Sequence, residues 1–293
     1  MMNSHLKFAA VGFAALIGTA IPDVGQANHA WDTYHWGRTT TAPFTLQLGY
    51  NFTADSVGGE WNGYLLTTSD AWSNGKVGTV SYPVVVKTAV VPGKAGRNCS
   101  GVAGTTQVCN KKYGSNGWLG LAQIWISGSH ITQGTAKMND TYFNSSKYNN
   151  PNEKLHVMCQ EVAHTFGLAH QSEDGTSLNT CMDYFSNTGA NSGSTASTAP
   201  NGHDFDQLGI IYSHADTTNT VATSSATSAT GSGLPVADDP KSWGQMVRQS
   251  PNGRSSYYET SARGGIKILT HVMWTEETAA VCRSCDHRFH ATE

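Results

Sequence analysis

Residues 150–170 constrain this chain more than any other stretch. Asn150 is a side-chain cap, Pro151 suits a first helical turn and Glu153 holds the capping-box position, so a helix is predicted from 151. Leu155, Met158, Val162 and Phe166 recur at helical spacing and are expected on the core face. Gly167 can take the left-handed conformation that ends the helix and turns the chain back. Within that frame, Gln160-Glu-Val-Ala-His-Thr-Phe-Gly-Leu-Ala-His170 puts positions 160 and 164 one turn apart on one face. Glu161 lies beside them, and His170 returns after the turn.

Two ligands at that spacing can grip one metal ion. Catalytic zinc takes three protein ligands and keeps a position for water, whose pKa it lowers; a neighbouring carboxylate removes the proton as the water attacks a carbonyl. Glu161 is the candidate base, His164 and His170 are candidate ligands, and Gln160 stands at the first ligand position. A glutamine oxygen is a neutral, harder donor than imidazole nitrogen. Three arrangements are therefore open. Gln160 ligates through its oxygen; or His156, about 6 Å back along the helix, or Glu173 or Asp174 substitutes; or the metal is lost and the fold is kept as a scaffold.

With Met182 and Tyr184 in Cys-Met-Asp-Tyr-Phe and with Phe205-Asp-Gln-Leu-Gly-Ile-Ile-Tyr212, this stretch resembles the metzincin clan of zinc endopeptidases, most closely its matrixin branch. The family pattern has histidine where this chain has Gln160. The resemblance implies an α/β (α+β) fold: a mixed twisted sheet, an active-site helix, a methionine turn and a closing C-terminal helix. It implies one Zn2+, with Met182 beneath it and the Tyr184 hydroxyl ligating zinc or stabilising the transition state. It further implies hydrolysis of internal peptide bonds in a protein or peptide substrate. The polar strand 131–138, expected at an edge, would line the cleft and pair with the substrate backbone. Calcium is not indicated. The competing class is a pseudoprotease that binds peptides or a protein partner in the same cleft, which Gln160 favours. A third is an adhesion protein using the C-terminal tail.

Export fits the rest of the chain. Lys7 precedes an apolar run from Phe8 to Ile21, too short to span a bilayer and suited to a signal-peptide core, with cleavage expected after Ala27. No membrane attachment is expected after its removal, and the location is read as extracellular or periplasmic. Charged residues are only 13% and the formal charge is −3, which argues against nucleic acid as the partner. Six cysteines fit an oxidising compartment. Spacing favours Cys99–Cys109 and Cys159–Cys181, the second tying the motif helix to the Met182 turn, and leaves Cys282 and Cys285 as a local pair. Those last two, with His287 and His290, are also of metal-binding type, and a cysteine reaching the zinc from the C-terminal side would give latency. Sequons stand at Asn51, Asn98, Asn139 and Asn144.

The expected organisation is a leader (1–27), a metzincin-like domain (28–215), a Ser/Thr/Ala-rich linker (216–233) and a small β-hairpin tail (234–293). Strands are expected at 44–52, 82–91, 119–126 and 131–138, a weak helix near 60–72 and a closing helix at 204–212 capped by Asp204. Two tail strands, 256–260 and 266–274, meet around Gly264-Gly265. Trp118 and Trp125 are expected in the core, and His130 and His203 at the surface.

Overall fold

A mixed, twisted sheet with few helices forms the molecule, seen in a computed structural model that describes residues 28–54, 61–93, 98–222 and 238–289. The strands are β1 (His35–Trp36), β2 (Phe44–Asn51), β3 (Lys76–Val77), β4 (Val80–Ser81), β5 (Val86–Pro92), β6 (Thr106–Lys111), β7 (Trp118–Ser127), β8 (His130–Asn139), β9 (Gln245–Gln249), β10 (Ser255–Ser261) and β11 (Lys267–Trp274). The helices are α1 (Trp61–Asn74), α2 (Asp140–Phe143), α3 (Pro151–His164), α4 (Gly202–Ile211) and α5 (Glu276–Val281). The expected leader, 1–27, lies outside the described residues, as do 223–233 of the expected linker and His290.

The main sheet has nine strands in the order β5-β2-β6-β8-β7-β11-β10-β9, with β1 pairing β8; β3 and β4 form a separate hairpin. β5, β2, β6 and β8 run parallel, whereas β7, β11, β10 and β9 follow as antiparallel neighbours. Two expectations change here. The strand 131–138 is interior, flanked by β6 and β7, and its residues from Gln133 onward are buried. Polar residues such as Thr135 and Lys137 suggest an edge, but both are buried, and Lys137 pairs with Asp238. The tail strands add to the same sheet beside β7, joined by β9, whose polar Gln245–Gln249 carries no alternation to reveal it.

Helix α3 starts as its sequence dictates. The Asn150 side chain accepts from Glu153 N at 2.8 Å, and Pro151 occupies the first turn. Met158, Val162 and Phe166 are fully buried, whereas Leu155 is only half-buried. Gly167 turns the chain with φ 94°, and a Cβ there would meet the Tyr34 carbonyl oxygen, so no other residue fits. Helix α4 is capped by Asn201 rather than Asp204, which is the third helical residue and completes a capping box. The helix thus begins two residues before the expected 204; Asp is itself a good cap and masks the earlier Asn201.

The core lies between α1, α3 and the sheet, with Trp36, Trp61 and Trp72 among its largest members. A smaller cluster of Trp118, Leu121, Trp243, Tyr258, Val272 and Trp274 packs where β7, β11 and β10 adjoin. Since side chains alternate along β11, burying Val272 and Trp274 in that cluster sends Leu269, His271 and Met273 to the other face, toward α3. All six cysteines are paired as Cys99–Cys109, Cys159–Cys181 and Cys282–Cys285, so no thiol is left to reach a metal from the C-terminal side. The sequon residue Asn139 is wholly buried and donates to Gly114, Asn116 and Trp118. Among the described residues no helix is long and apolar enough to cross a membrane.

Candidate metal centre

The last turn of α3 and the return through Gly167 bring His164 and His170 together. Nε2 of His164 lies 3.0 Å from Nε2 of His170. Nδ1 of His164 faces the Leu168 carbonyl oxygen at 2.8 Å; that oxygen can only accept, so Nδ1 carries the proton and Nε2 is bare. His170 turns Nδ1 toward Tyr257 Oη at 2.7 Å, Tyr184 Oη at 3.0 Å and Glu173 Oε1 at 3.3 Å. Arg248 of β9 holds Glu173 in turn, at 2.8 Å.

His271 enters this cluster from β11. It pairs with Ala122 of β7 on one side and Tyr257 of β10 on the other, which sets its side chain over α3. Its ring stands 4.0 Å from the His164 ring, centre to centre. Nδ1 is 3.0 Å from Glu161 Oε2 and Nε2 is 3.0 Å from Tyr184 Oη. Each of His164, His170 and His271 offers a ring nitrogen, all within 4.8 Å of one another, and all three are buried. No family model, curated protein or solved structure matches this chain. The chemistry of the cluster therefore rests on its own geometry.

Burial dominates the electrostatics. It pushes the Glu161 carboxyl from 4.5 up to about 8, with His164 and His156 pulling the other way. It pushes His164 down to about 3, helped by His271, and holds His170 and His271 well below the ordinary imidazole range. The Tyr184 and Tyr257 hydroxyls are held well above theirs by the same cause. Neutral imidazole is the form that ligates metal.

Gln160 does something that its position alone does not reveal. Its Nε2 donates to the carbonyls of Cys181 and Asp183, at 2.9 and 2.8 Å, clasping the two residues that flank Met182. Its Oε1 is buried without a partner. Met182 is fully buried in the core, and its carbonyl accepts from Gln171 N at 2.6 Å. The other candidate substitutes are engaged elsewhere. His156 spends both nitrogens, on Asn187 Oδ1 and the Asp183 carbonyl. Asp174 is exposed and binds Ser172 and Thr176, while Glu173 backs His170.

Two of the three donors stand at a spacing that suits a tetrahedral cation, and all three nitrogens lie within 4.8 Å of one another. Zinc–nitrogen distances of 2.0–2.1 Å imply donor–donor edges of about 3.3 Å, close to the spacing of the two Nε2 atoms. A carboxylate backing a ligand histidine, as Glu173 backs His170, is the usual outer-layer arrangement in such sites. One Glu161 oxygen, Oε1, is also buried and unpartnered, which leaves it open to a further proton or water. The centre is sealed, however. Side chains of Glu161, His164, His170 and His271 have no exposure, and surface pockets of 790 and 280 Å³ reach only as far as Tyr184 and Tyr257 respectively.

His271 and Tyr257 were not singled out in the sequence. His271 lies in the alternating run Ile-Leu-Thr-His-Val-Met-Trp, where a polar residue in a buried strand was the available signal.

Proposed function

We propose that this chain is a secreted, zinc-dependent endopeptidase of metzincin type, in which His164, His170 and His271 hold the ion and Glu161 is the general base. The observation that carries the reading is the convergence of three buried imidazoles beside a carboxyl with one unpartnered oxygen. Bound there, zinc would supply an acidified water and a Lewis acid for the scissile carbonyl. Glu161, in its carboxylate form, takes the proton of the attacking water at Oε1, the oxygen that has no other partner. Tyr184 Oη, between His170 and His271, is the donor available to a developing oxyanion. Gln160 fixes the Met182 turn against α3 and leaves the ligating to the three histidines. Three disulfides suit an oxidising compartment, and the leader at 1–27 belongs to the same proposal.

One observation favours the second reading, a pseudoprotease that binds without cutting. β11 lies along β7 and nothing in the cluster is exposed, so an extended peptide reaches Glu161 only after the covering strands move. The test is chelator-sensitive cleavage of an unfolded protein by the full chain, as purified and after mild limited proteolysis, beside Glu161→Ala. Cleavage that the variant lacks supports the peptidase. Folded, zinc-loaded protein that cuts nothing in either state supports the binding protein.

A further inference from the structure

A second histidine cluster, sharing no residue with the first, forms where β1, the first residue of β8 and the segment after α4 meet. His35 Nε2 lies 3.2 Å from Asp216 Oδ1, His214 Nε2 lies 3.4 Å from the same oxygen, and the two Nε2 atoms are 3.2 Å apart. The three donors thus make a nearly equilateral triangle. A tetrahedral zinc ion with bonds of 2.0–2.1 Å requires donor–donor edges of about 3.3 Å, so this triangle is one face of such a tetrahedron. His130 Nε2 approaches the same Asp216 oxygen at 3.1 Å.

We propose that His35, His214 and Asp216 form a structural zinc site, separate from the Glu161 centre, which ties the segment after α4 to β1 and β8. Its ligand is a borderline divalent transition ion, because two imidazoles and one carboxylate suit zinc better than the all-oxygen cations.

The proton inventory gives a second reason. His35 Nδ1 faces the Thr33 carbonyl oxygen at 2.7 Å, which can only accept, so Nδ1 carries the hydrogen. In the neutral ring Nε2 is then bare, yet it points at a carboxylate oxygen. Two acceptors face each other, and either an extra proton or a cation must lie between them. The carboxylate is also aimed in advance. Asp216 Oδ2 accepts from Arg38 N at 2.8 Å, leaving Oδ1 for the cluster, and Asp216 N donates to the Arg38 carbonyl at 2.6 Å. The Arg38 guanidinium binds the carbonyls of Ala42 and Tyr212, so the loop that presents His214 and Asp216 is fixed before any ion arrives. The His35 and His214 rings meet at 78°, which lets both nitrogens converge without stacking. His35 and Asp216 are largely buried while the His214 side chain is 52% exposed, giving the ion a route in. His130 backs the carboxylate from the other side.

The test uses the full chain with zinc and cobalt(II) as probes, reading metal content by mass spectrometry and tetrahedral cobalt absorption in the visible. A His164→Ala/His170→Ala variant is expected to keep one ion and its cobalt band. Adding His214→Ala should abolish both, together with the rise in thermal midpoint that zinc gives. His214→Ala alone, at a half-exposed position where folding is little disturbed, should lower the parent's content by one ion. Unchanged metal content in His214→Ala, or a His164→Ala/His170→Ala chain that folds and binds no ion, would overturn the site and leave a hydrogen-bonded histidine–aspartate network.

Discussion

His271 Nδ1 lies 3.0 Å from Glu161 Oε2 across 110 positions of sequence, so the proposed base and a residue of the C-terminal strand form one unit. If His271 is the third ligand, His271→Ala should remove the zinc of this centre as completely as His164→Ala does. Gln160→Leu should keep that zinc. It should instead cost roughly 1–3 kcal/mol of stability, since the Cys181 carbonyl loses its donor and the Asp183 carbonyl keeps only His156. Metal content after dialysis, beside urea denaturation, separates the two effects. Zinc lost on Gln160→Leu in folded protein and retained on His271→Ala would assign the ligand to Gln160.

Gly120 of β7 makes room for Glu161. A Cβ at this position would lie 2.6 Å from both Glu161 Oε1 and Val157 Cγ1. Gly120→Ala should therefore push Glu161 from its place, destabilising the fold by about 1–3 kcal/mol through overpacking. Cleavage should fall at least tenfold with zinc content unchanged. A variant as active and as stable as the parent would mean that Glu161 has slack here.

The Cys159–Cys181 bridge closes a loop of sequence separation 22 between α3 and the Met182 turn. Replacing both cysteines by alanine is expected to lower stability by about 3 kcal/mol on the loop-entropy scale. Zinc affinity should fall with it, because the bridge and Gln160 hold the same turn. Chemical denaturation and zinc titration of the double variant check both points.

Glu276 sets an acid limit. Burial opposes its ionisation, but Lys147, Ser186 and Arg254 outweigh it and hold the carboxyl near pH 2, against an ordinary 4.5. A lowered folded-state value means that the stabilisation is fully present above about pH 4.5 and is lost as pH falls toward 2. Glu276→Gln should thus be less stable than the parent at pH 6, by about 1 kcal/mol given partial solvation. The difference should close by pH 2. Thermal midpoints of both proteins across that range provide the measurement, and a gap that persists at pH 2 would exclude an ionic origin.

Much of the centre was legible because its parts are local. The cap at Asn150, the turn at Gly167 and the pairing of His164 with His170 all arise within 21 residues of chain, where helical geometry alone places one side chain relative to another. The Cys159–Cys181 bridge was read from the same neighbourhood. The position of 131–138 was not legible, because a strand's rank in a sheet depends on what flanks it, and polar Lys137 and Thr135 look like edge residues until the flanking strands that bury them are known. His130 was read as a surface residue for a similar reason. Its partners His35 and Asp216 are remote in sequence.

By itself, the sequence determined the motif helix, its start and stop, and the placing of the Glu161 carboxyl beside two histidines. Short-range sterics and hydrogen bonding specify those features wherever the chain is placed. Only the tertiary structure decided that Gln160 clasps the Met182 turn, that β11 lies beside β7, and that His271 joins His164 and His170. Strand register makes that last choice. Shifting β11 by one residue would turn His271 away from α3 and bring Val272 in, and no local pattern fixes which residue of β7 a strand from the far end of the chain will face.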